Sequence, residues 1–309
     1  MSALRAAVVG VGYVGALHAE KYASLSDVDL VAVVDADAER AAAVASRCRT
    51  RAATDYHDLF DHIDCVSLAV PTPLHFTLAR DFLSRGVDVL VEKPLTTSVA
   101  DGQALVEIAA QSGRILQVGH LERFNPAIRA LASVITRPRF IECHRLAPFV
   151  ERGTDVDVIL DLMIHDLDVI LSWVEADVQS VEAVGVPVLS ETADIANARL
   201  RFTDGCIANI TASRVALKRE RKIRVFQADT YVSVDYSEKH VRVCRRLPGD
   251  AGPTITVEEQ ALGEGDALFD EIEQFVRVVR TREQPLVDGH VALRAVEVAE
   301  MIRDRLESA

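Results

Sequence analysis

The sequence predicts an α/β fold in two parts: a doubly wound parallel sheet, then an α+β domain built on a mostly antiparallel, open sheet. Three observations predict it. Through roughly the first 120 residues, short apolar runs alternate with helical patterns, the signature of βαβ units. A G-x-G-x-x-G turn joins the first apolar run to the first helical pattern. Further along, strands follow one another across short turns, as in an antiparallel sheet.

Taken in order, strands are expected at 5–10, 28–34, 65–70, 87–91 and 115–119, with helices near 14–25, 37–47, 74–85 and 98–112. These strands are almost wholly apolar, as they must be where helices cover both faces of a sheet. A helix near 126–136, a strand at 139–146 and a helix at 156–173 come next. Strands at 178–188, 194–203, 206–215, 222–234 and 239–247 follow, with Thr203, Asp204 and Gly205 forming one turn. Helices at 266–281 and 289–307 close the pattern. No linker, repeat or low-complexity tract separates the parts. The change of rhythm alone places a first domain at 1–121 and a second at 122–309, whose C-terminal helices are free to pack back on the first.

A chain of 309 residues can bury roughly 75% of its unfolded surface, so it needs neither disulfides nor a structural metal to fold. It is 49% hydrophobic and 26% charged, which excludes disordered and collagen-like classes. Lys+Arg minus Asp+Glu is 34 − 47 = −13, so nucleic acid and anionic membranes are poor partners. An anionic substrate must be held by local basic groups. Five scattered cysteines without a C-x-x-C read as reduced thiols. With no export signal or membrane span read in the sequence, a cytoplasmic location is expected.

The first glycine-rich turn is Gly10, Val11, Gly12, Tyr13, Val14 and Gly15. The first glycine permits the tight turn, the second lets a pyrophosphate approach the backbone, and the third lets helix and strand pack closely. Phosphates then sit at a helix N-terminus, where free N–H groups and the dipole favour anions. Asp35 ends the second strand about 20 residues past Gly15, where a ribose-binding carboxylate belongs. Such a carboxylate accepts from the 2′-hydroxyl and repels a 2′-phosphate. Ala36 follows it instead of an arginine, and Arg40 is expected to point away along the next helix. NAD is therefore the expected cofactor.

The third and fourth strands end in Val70, Pro71, Thr72, Pro73, Leu74 and His75, and in Glu92, Lys93 and Pro94. Both endings lie at the carboxyl edge of the sheet, where ligands bind in open α/β folds. Pro71, Thr72, His75, Glu92 and Lys93 are thus expected to line the cofactor site. Pro94 confines Lys93 to extended backbone, from which the lysine can reach nicotinamide and substrate. Taken alone, Lys93 reads equally well as an exposed residue in a strand-end turn.

The helical segment 157–173 carries Asp157, Asp161, His165, Asp166, Asp168 and Ser172 on an otherwise apolar background. At about 100° per residue, all but Asp166 fall within an arc of roughly 80°. A solvated helix face would give the same stripe, yet this one has no Lys, Arg or Glu. Asp161 and His165, four apart, are neighbours on such a helix. A carboxylate beside an imidazole raises its basicity and orients it, which suits a general base. No second His or Cys stands at ligand spacing, so a metal is not expected.

Together these residues resemble the Gfo/Idh/MocA oxidoreductase family. The matching pieces are the glycine turn with His18, then Glu92-Lys93-Pro94, then Asp161-Leu162-Met163-Ile164-His165-Asp166-Leu167-Asp168, and the turn Pro285-Leu286-Val287-Asp288-Gly289. The resemblance covers nearly the whole chain. It implies an N-terminal Rossmann domain, NAD, and Lys93, Asp161 and His165 as the catalytic set. It also implies a C-terminal domain whose open sheet often joins subunits into a homodimer or homotetramer. Many members carry a glycine-rich run before the Asp-x-x-x-His motif. Here the segment is Gly153-Thr154-Asp155-Val156-Asp157-Val158, so the substrate loop is expected to differ from that of polyol dehydrogenases.

Two further segments, Gly119-His120-Leu121-Glu122-Arg123-Phe124-Asn125-Pro126 and His144-Arg145-Leu146-Ala147-Pro148-Phe149, look most like family members that oxidise the C3 hydroxyl of UDP-N-acetylglucosamine on the way to lipid A. That likeness implies a UDP-sugar substrate. Its diphosphate would need arginines, and Arg123, Arg145 and Arg152 are the candidates, with Asn125 beside them. Arg214, Lys218, Arg219, Arg221, Lys222 and Arg224 read instead as charged residues of a sheet surface or interface. Oxidation of a UDP-sugar uronate or an inositol-like polyol is the nearest alternative. A non-catalytic NAD-dependent sensor is another, and it would not need an intact Lys93, Asp161 and His165.

Overall fold

The computed structural model describes residues 2–150, 156–236, 238, 240–249, 252–261 and 265–307. In chain order the strands are β1 Leu4–Val9, β2 Val28–Val34, β3 Arg51–Ala53, β4 Cys65–Leu68, β5 Asp88–Glu92, β6 Leu116–Gly119, β7 Pro138–Leu146, β8 Val178–Val186, β9 Ile195–Phe202, β10 Ile207–Ser213, β11 Glu220–Gln227, β12 Thr230–Asp235, β13 His240–Leu247 and β14 Thr254–Ala261. The helices are α1 Tyr13–Ser24, α2 Ala38–Cys48, α3 His75–Ser84, α4 Val99–Ser112, α5 Pro126–Leu131, α6 Ile164–Trp173, α7 Ala267–Thr281 and α8 Gly289–Glu307. The chain divides into two units, Met1–Phe124 with Asp266–Val296, and Asn125–Gly265 with Glu297–Ala309. A single cut after residue 121 would leave Asp266–Val296 in the second domain; the structure groups that segment with the first.

The first unit is built on a parallel sheet in the order β3-β2-β1-β4-β5-β6. The strand order reverses between β1 and β4, which opens a crevice at their carboxyl ends. Alternate residues of each strand feed two cores. On one face Val9, Leu68 and Val91 pack with Phe82 of α3 and with Leu293 and Val296 of α8. On the other Ala6, Val8 and Leu90 pack with Tyr22 of α1 and with Ile272, Phe275 and Val279 of α7. Helices on both faces explain the continuous apolar strands. The end of α7 is tied down by Arg282, whose guanidinium donates to Asp88 at 2.6 and 3.1 Å and to the Gly113 carbonyl at 2.8 Å. The three-residue β3 is exposed or half-buried and sends no apolar signal, so the sequence did not predict it.

The second unit holds an eight-stranded sheet in the order β14-β13-β12-β11-β7-β10-β9-β8. Only β7 and β10 pair in parallel; all other neighbours are antiparallel. The strand expected at 222–234 is a hairpin, with Ala228 and Asp229 in its two-residue turn and Asp229 at φ 56°. Buried Ile223 and Val225 are followed by buried Val232 and Val234. That switch from odd to even positions is the phase break of a turn lacking glycine. Strand β14 was not predicted either, because as an edge strand it leaves Ile255 and Val257 exposed. The helix expected at 126–136 ends at Leu131.

One member of the basic run is not at the surface. Arg214 is 4% exposed and its Nε lies 2.8 Å from Oδ1 of Asp194, which is fully buried. Asp194 also accepts from the Val188 and Ser190 N–H groups, and Arg214 donates to Val156 O, Ser190 Oγ and Thr192 Oγ1. Burial would raise the Asp194 carboxyl, but the bonds from Ser190 and Arg214 and the backbone outweigh it and hold it well below its ordinary value. Asp194→Asn should therefore cost about 3–5 kcal/mol in urea unfolding, the usual penalty for leaving a buried charge unpaired. The pair's contribution is complete above the ordinary Asp value of about 3.9 and is lost as pH falls toward the depressed one. An acid titration of wild-type stability should show this loss, and the variant should lack it.

Candidate active site

At the end of β1, Gly10 adopts φ 81°, and a Cβ there would stand 2.6 Å from the Ala69 carbonyl oxygen. A Cβ on Gly15 would meet the Gly10 carbonyl oxygen at 1.8 Å. At Gly12 the same atom would meet nothing within 4 Å, and this residue begins α1 without any side-chain cap. The backbone here is open to a phosphate, with Tyr13 and Val14 exposed beside it. The residues thus fit the dinucleotide that the motif implies.

Asp35 is buried and accepts from the Val11 and Asp37 N–H groups, each at 2.9 Å. Arg40 does not point away. Its Nη1 lies 3.0 Å from Asp35 Oδ1 and its Nη2 3.2 Å from Asp37 Oδ2. Asp37 is the N-cap of α2, so Arg40 sits in the first turn, and helical side chains lean toward the N-terminus. The expectation that a helix would turn it outward overlooked that lean.

The next strand-end loops lie in the same unit. Pro71 is exposed, while Thr72 is buried and opens a 3₁₀ turn, Thr72–Leu74. His75, expected to face the cofactor, is 1% exposed instead, with Nδ1 2.8 Å from the Pro94 carbonyl and Nε2 3.0 Å from the Val70 carbonyl. Glu92 ends β5, and its Oε1 lies 2.9 Å from Nε2 of fully buried His18. Burial would raise the Glu92 carboxyl, but the His18 hydrogen bond and the charges of His18 and Lys93 outweigh it and leave it lowered. Lys93 is half-buried, its N–H directed at Glu92 Oε2 at 3.3 Å, and the Lys93–Pro94 peptide is cis.

Glu271 of α7 joins this corner: one of its carboxylate oxygens, one of Glu92's and a ring nitrogen of His18 all lie within 4.8 Å of one another. The sequence reading missed it. The signal was a carboxylate on the apolar stripe of α7, in step with buried Ile272, Phe275 and Val279. The Pro285–Gly289 turn also lies in this unit; Val287 accepts from the Val118 N–H of β6 at 3.0 Å.

In the second unit, residues Ile159–Met163 form a π-helical turn ahead of α6. Asp161 lies in that wider turn and His165 on the first turn of α6. π turns within helices recur at functional sites. The stripe is no solvated face, because Asp157, Asp161, His165 and Ser172 are half-buried and Asp168 is buried. Asp157 caps the turn, accepting from Ile159 and Leu160 N–H, and pairs with Arg303 at 2.8 Å.

Two expected substrate contacts have structural duties. Arg145 is 3% exposed, and its Nε and Nη2 bind Asp166 at 3.0 and 2.9 Å. Strand alternation sets Arg145 on the same buried face of β7 as Ile141 and Cys143. The bidentate pair occupies the fork that a diphosphate would need. Asn125 caps α5, accepting from the Ala127 N–H at 3.0 Å. Arg123 is half-buried in the 3₁₀ turn Leu121–Phe124. Arg152 and the Gly153–Asp155 stretch lie outside the described residues.

Residues 4–120 match the profile of the Gfo/Idh/MocA oxidoreductase family's NAD-binding Rossmann fold, and residues 127–231 match the family's C-terminal domain. UDP-N-acetylglucosamine 3-dehydrogenase from Acidithiobacillus ferrooxidans is 38% identical over 99% of this chain and 98% of its own length. A solved structure of that enzyme superposes with a TM-score of 0.93, covering 100% and 99% of the two chains. Myo-inositol 2-dehydrogenase from Thermotoga maritima is 24% identical over 98% of this chain and 96% of its own. A Lactobacillus casei scyllo-inositol dehydrogenase, solved with NAD(H) and scyllo-inositol, shares the fold at TM-score 0.83 and 18% identity, covering 99% and 98% of the chains. With its glycine turn, Asp35 and the strand-end residues in place, the chain belongs to the Gfo/Idh/MocA family of NAD-binding oxidoreductases.

Proposed function

We propose that the chain oxidises the C3 hydroxyl of UDP-N-acetylglucosamine to a ketone with NAD. One observation carries this reading. The likeness to the Acidithiobacillus UDP-N-acetylglucosamine 3-dehydrogenase covers 99% of the chain at 38% identity, whereas inositol dehydrogenases match at 24–34% over 58–98% of it. Lys93 in the first unit and Asp161 and His165 in the second are each half-buried, and their joint presence in the sequence supports an enzyme over a sensor.

In this reading His165 accepts the proton of the C3 hydroxyl. Lys93 donates a hydrogen bond to the same oxygen and stabilises the developing alkoxide. Asp161 orients the imidazole or holds a neighbouring hydroxyl. Asp35 takes the ribose hydroxyls, while Gly12, Tyr13, Val14 and the start of α1 take the pyrophosphate. NAD, when bound, supplies the hydride acceptor. Arg123 and Arg152 remain the candidates for the substrate diphosphate. Arg145 serves the site indirectly, anchoring the helix of His165 through Asp166, the next residue.

The keto sugar would pass to an aminotransferase on the way to lipid A. Five free cysteines suit a reducing cytoplasm. The sheet of the second unit, with its Phe140–Phe226–Tyr231 cluster, is the surface we assign to a homodimer or homotetramer.

His165→Ala should lower kcat by about 10²–10⁴-fold, the range for a general base, with NAD affinity little changed; near-normal NADH production would remove His165 from the chemistry. Free N-acetylglucosamine should show kcat/KM lower than the UDP-sugar by about 10³-fold or more, since charge-assisted bonds of about 1.5–3 kcal/mol each are lost. Equal values would favour a polyol substrate. Asp35→Ala should weaken NAD binding by about 10–100-fold. The same change releases Arg40 for a 2′-phosphate, so NADP affinity should rise without any added arginine. Titrating both cofactors against the two proteins checks this.

A further inference from the structure

The His75 imidazole spans two loops. It begins α3, yet it faces the Val70 carbonyl on the loop after β4 and the Pro94 carbonyl on the loop after β5. The Val70 contact is local, between residues five apart, while the Pro94 contact, between residues 19 apart, is the one that joins the loops. Residue 94 directly follows Lys93. On the other side of Lys93, the Glu92 side chain is held by His18 at 2.9 Å. The lysine is therefore flanked on both sides by groups that a buried histidine restrains.

Burial lowers the His75 pKa, although the carbonyls of Pro94, Val70 and Leu95 and the charge of Glu92 pull the other way. A neutral imidazole carries one N–H and cannot donate to both carbonyls. The shorter contact is to Pro94, at 2.8 Å against 3.0 Å.

We propose that His75 is a positioning residue that donates from Nδ1 to the Pro94 carbonyl and so holds the Lys93–Pro94 segment where the lysine amine meets the substrate oxygen. The proposal rests on the role given to Lys93 above. Misplacing a catalytic group by about 1 Å can cost about 10²-fold in rate, so a single lost bond at this loop is enough to be measured.

Asparagine places an amide nitrogen near the Nδ1 position and glutamine near Nε2, so the two contacts can be separated. His75→Asn should keep kcat with UDP-N-acetylglucosamine within about threefold of wild type. His75→Gln and His75→Leu should lose about 10²-fold in kcat, with NAD dissociation constants changed far less. The acetylation rate of the Lys93 amine by acetic anhydride, read by mass spectrometry, should change in Gln and Leu and not in Asn. Thermal unfolding identifies any variant that does not fold, and the Asn–Gln comparison stands without Leu. If Gln matches Asn in both kcat and Lys93 reactivity, the clip is overturned. If Lys93→Ala itself retains kcat, the reading of Lys93 fails instead, and the acetylation rates still decide whether His75 holds that segment.

Discussion

At the turn from β1 into α1 the backbone comes closer to itself than any side chain allows. The space where a Gly15 Cβ would stand is already taken by the Gly10 carbonyl oxygen, and Gly10 is pressed against Ala69 after β4. This approach brings the ends of the two central strands together and lets α1 rise straight from them. Asp35 reinforces the turn, because its carboxylate accepts the Val11 N–H while Gly10 N–H donates to Val34. The Asp35 carboxylate and the backbone of the glycine turn are thus one hydrogen-bonded assembly. Larger residues at Gly10 or Gly15 would separate helix from strand before they touched a ligand.

What the sequence made legible was what repeats or stands alone. The apolar strands and amphipathic helices of the first unit were readable because helices bury both faces of its sheet. The glycine turn was readable because no other residue type meets its contacts. What was lost depended on phase or on edges. Ala228 and Asp229 turn a hairpin with no glycine, and β3 and β14 are edge strands with little to bury. The π turn at Ile159–Met163 interrupts the single α-helix expected over 156–173, and a hydrophobic period alone does not announce it.

Buried polar partners were the other blind spot, because they pair residues far apart in the chain. The sequence assigned Arg145 to a ligand and Arg214 to a surface, yet each neutralises a buried aspartate. In a chain with 47 acidic and 34 basic side chains, carboxylates that enter a core need a matching cation, and removing either partner strands the other. At the corner of His18, Glu92 and Glu271 the histidine bonds Glu92, from a position 74 residues away in the chain. None of these pairings has a local signature beyond a charged residue in an apolar stretch.

The grip of Arg282 on Asp88 and Gly113 has a consequence for how the chain is made. During synthesis the six strands of the nucleotide-binding sheet emerge early, but α7 and the start of α8, which seal its two faces, come from the far end of the message. Between those events more than a hundred residues of the second unit must leave the ribosome, roughly 10 s of elongation at common rates. For that interval the cores around Leu90 and Val91 lack the apolar cover they have in the finished protein. A nascent chain stalled within the second sheet should accordingly be a client for chaperones that bind exposed apolar surface, while release of the last helices ends that vulnerability at once.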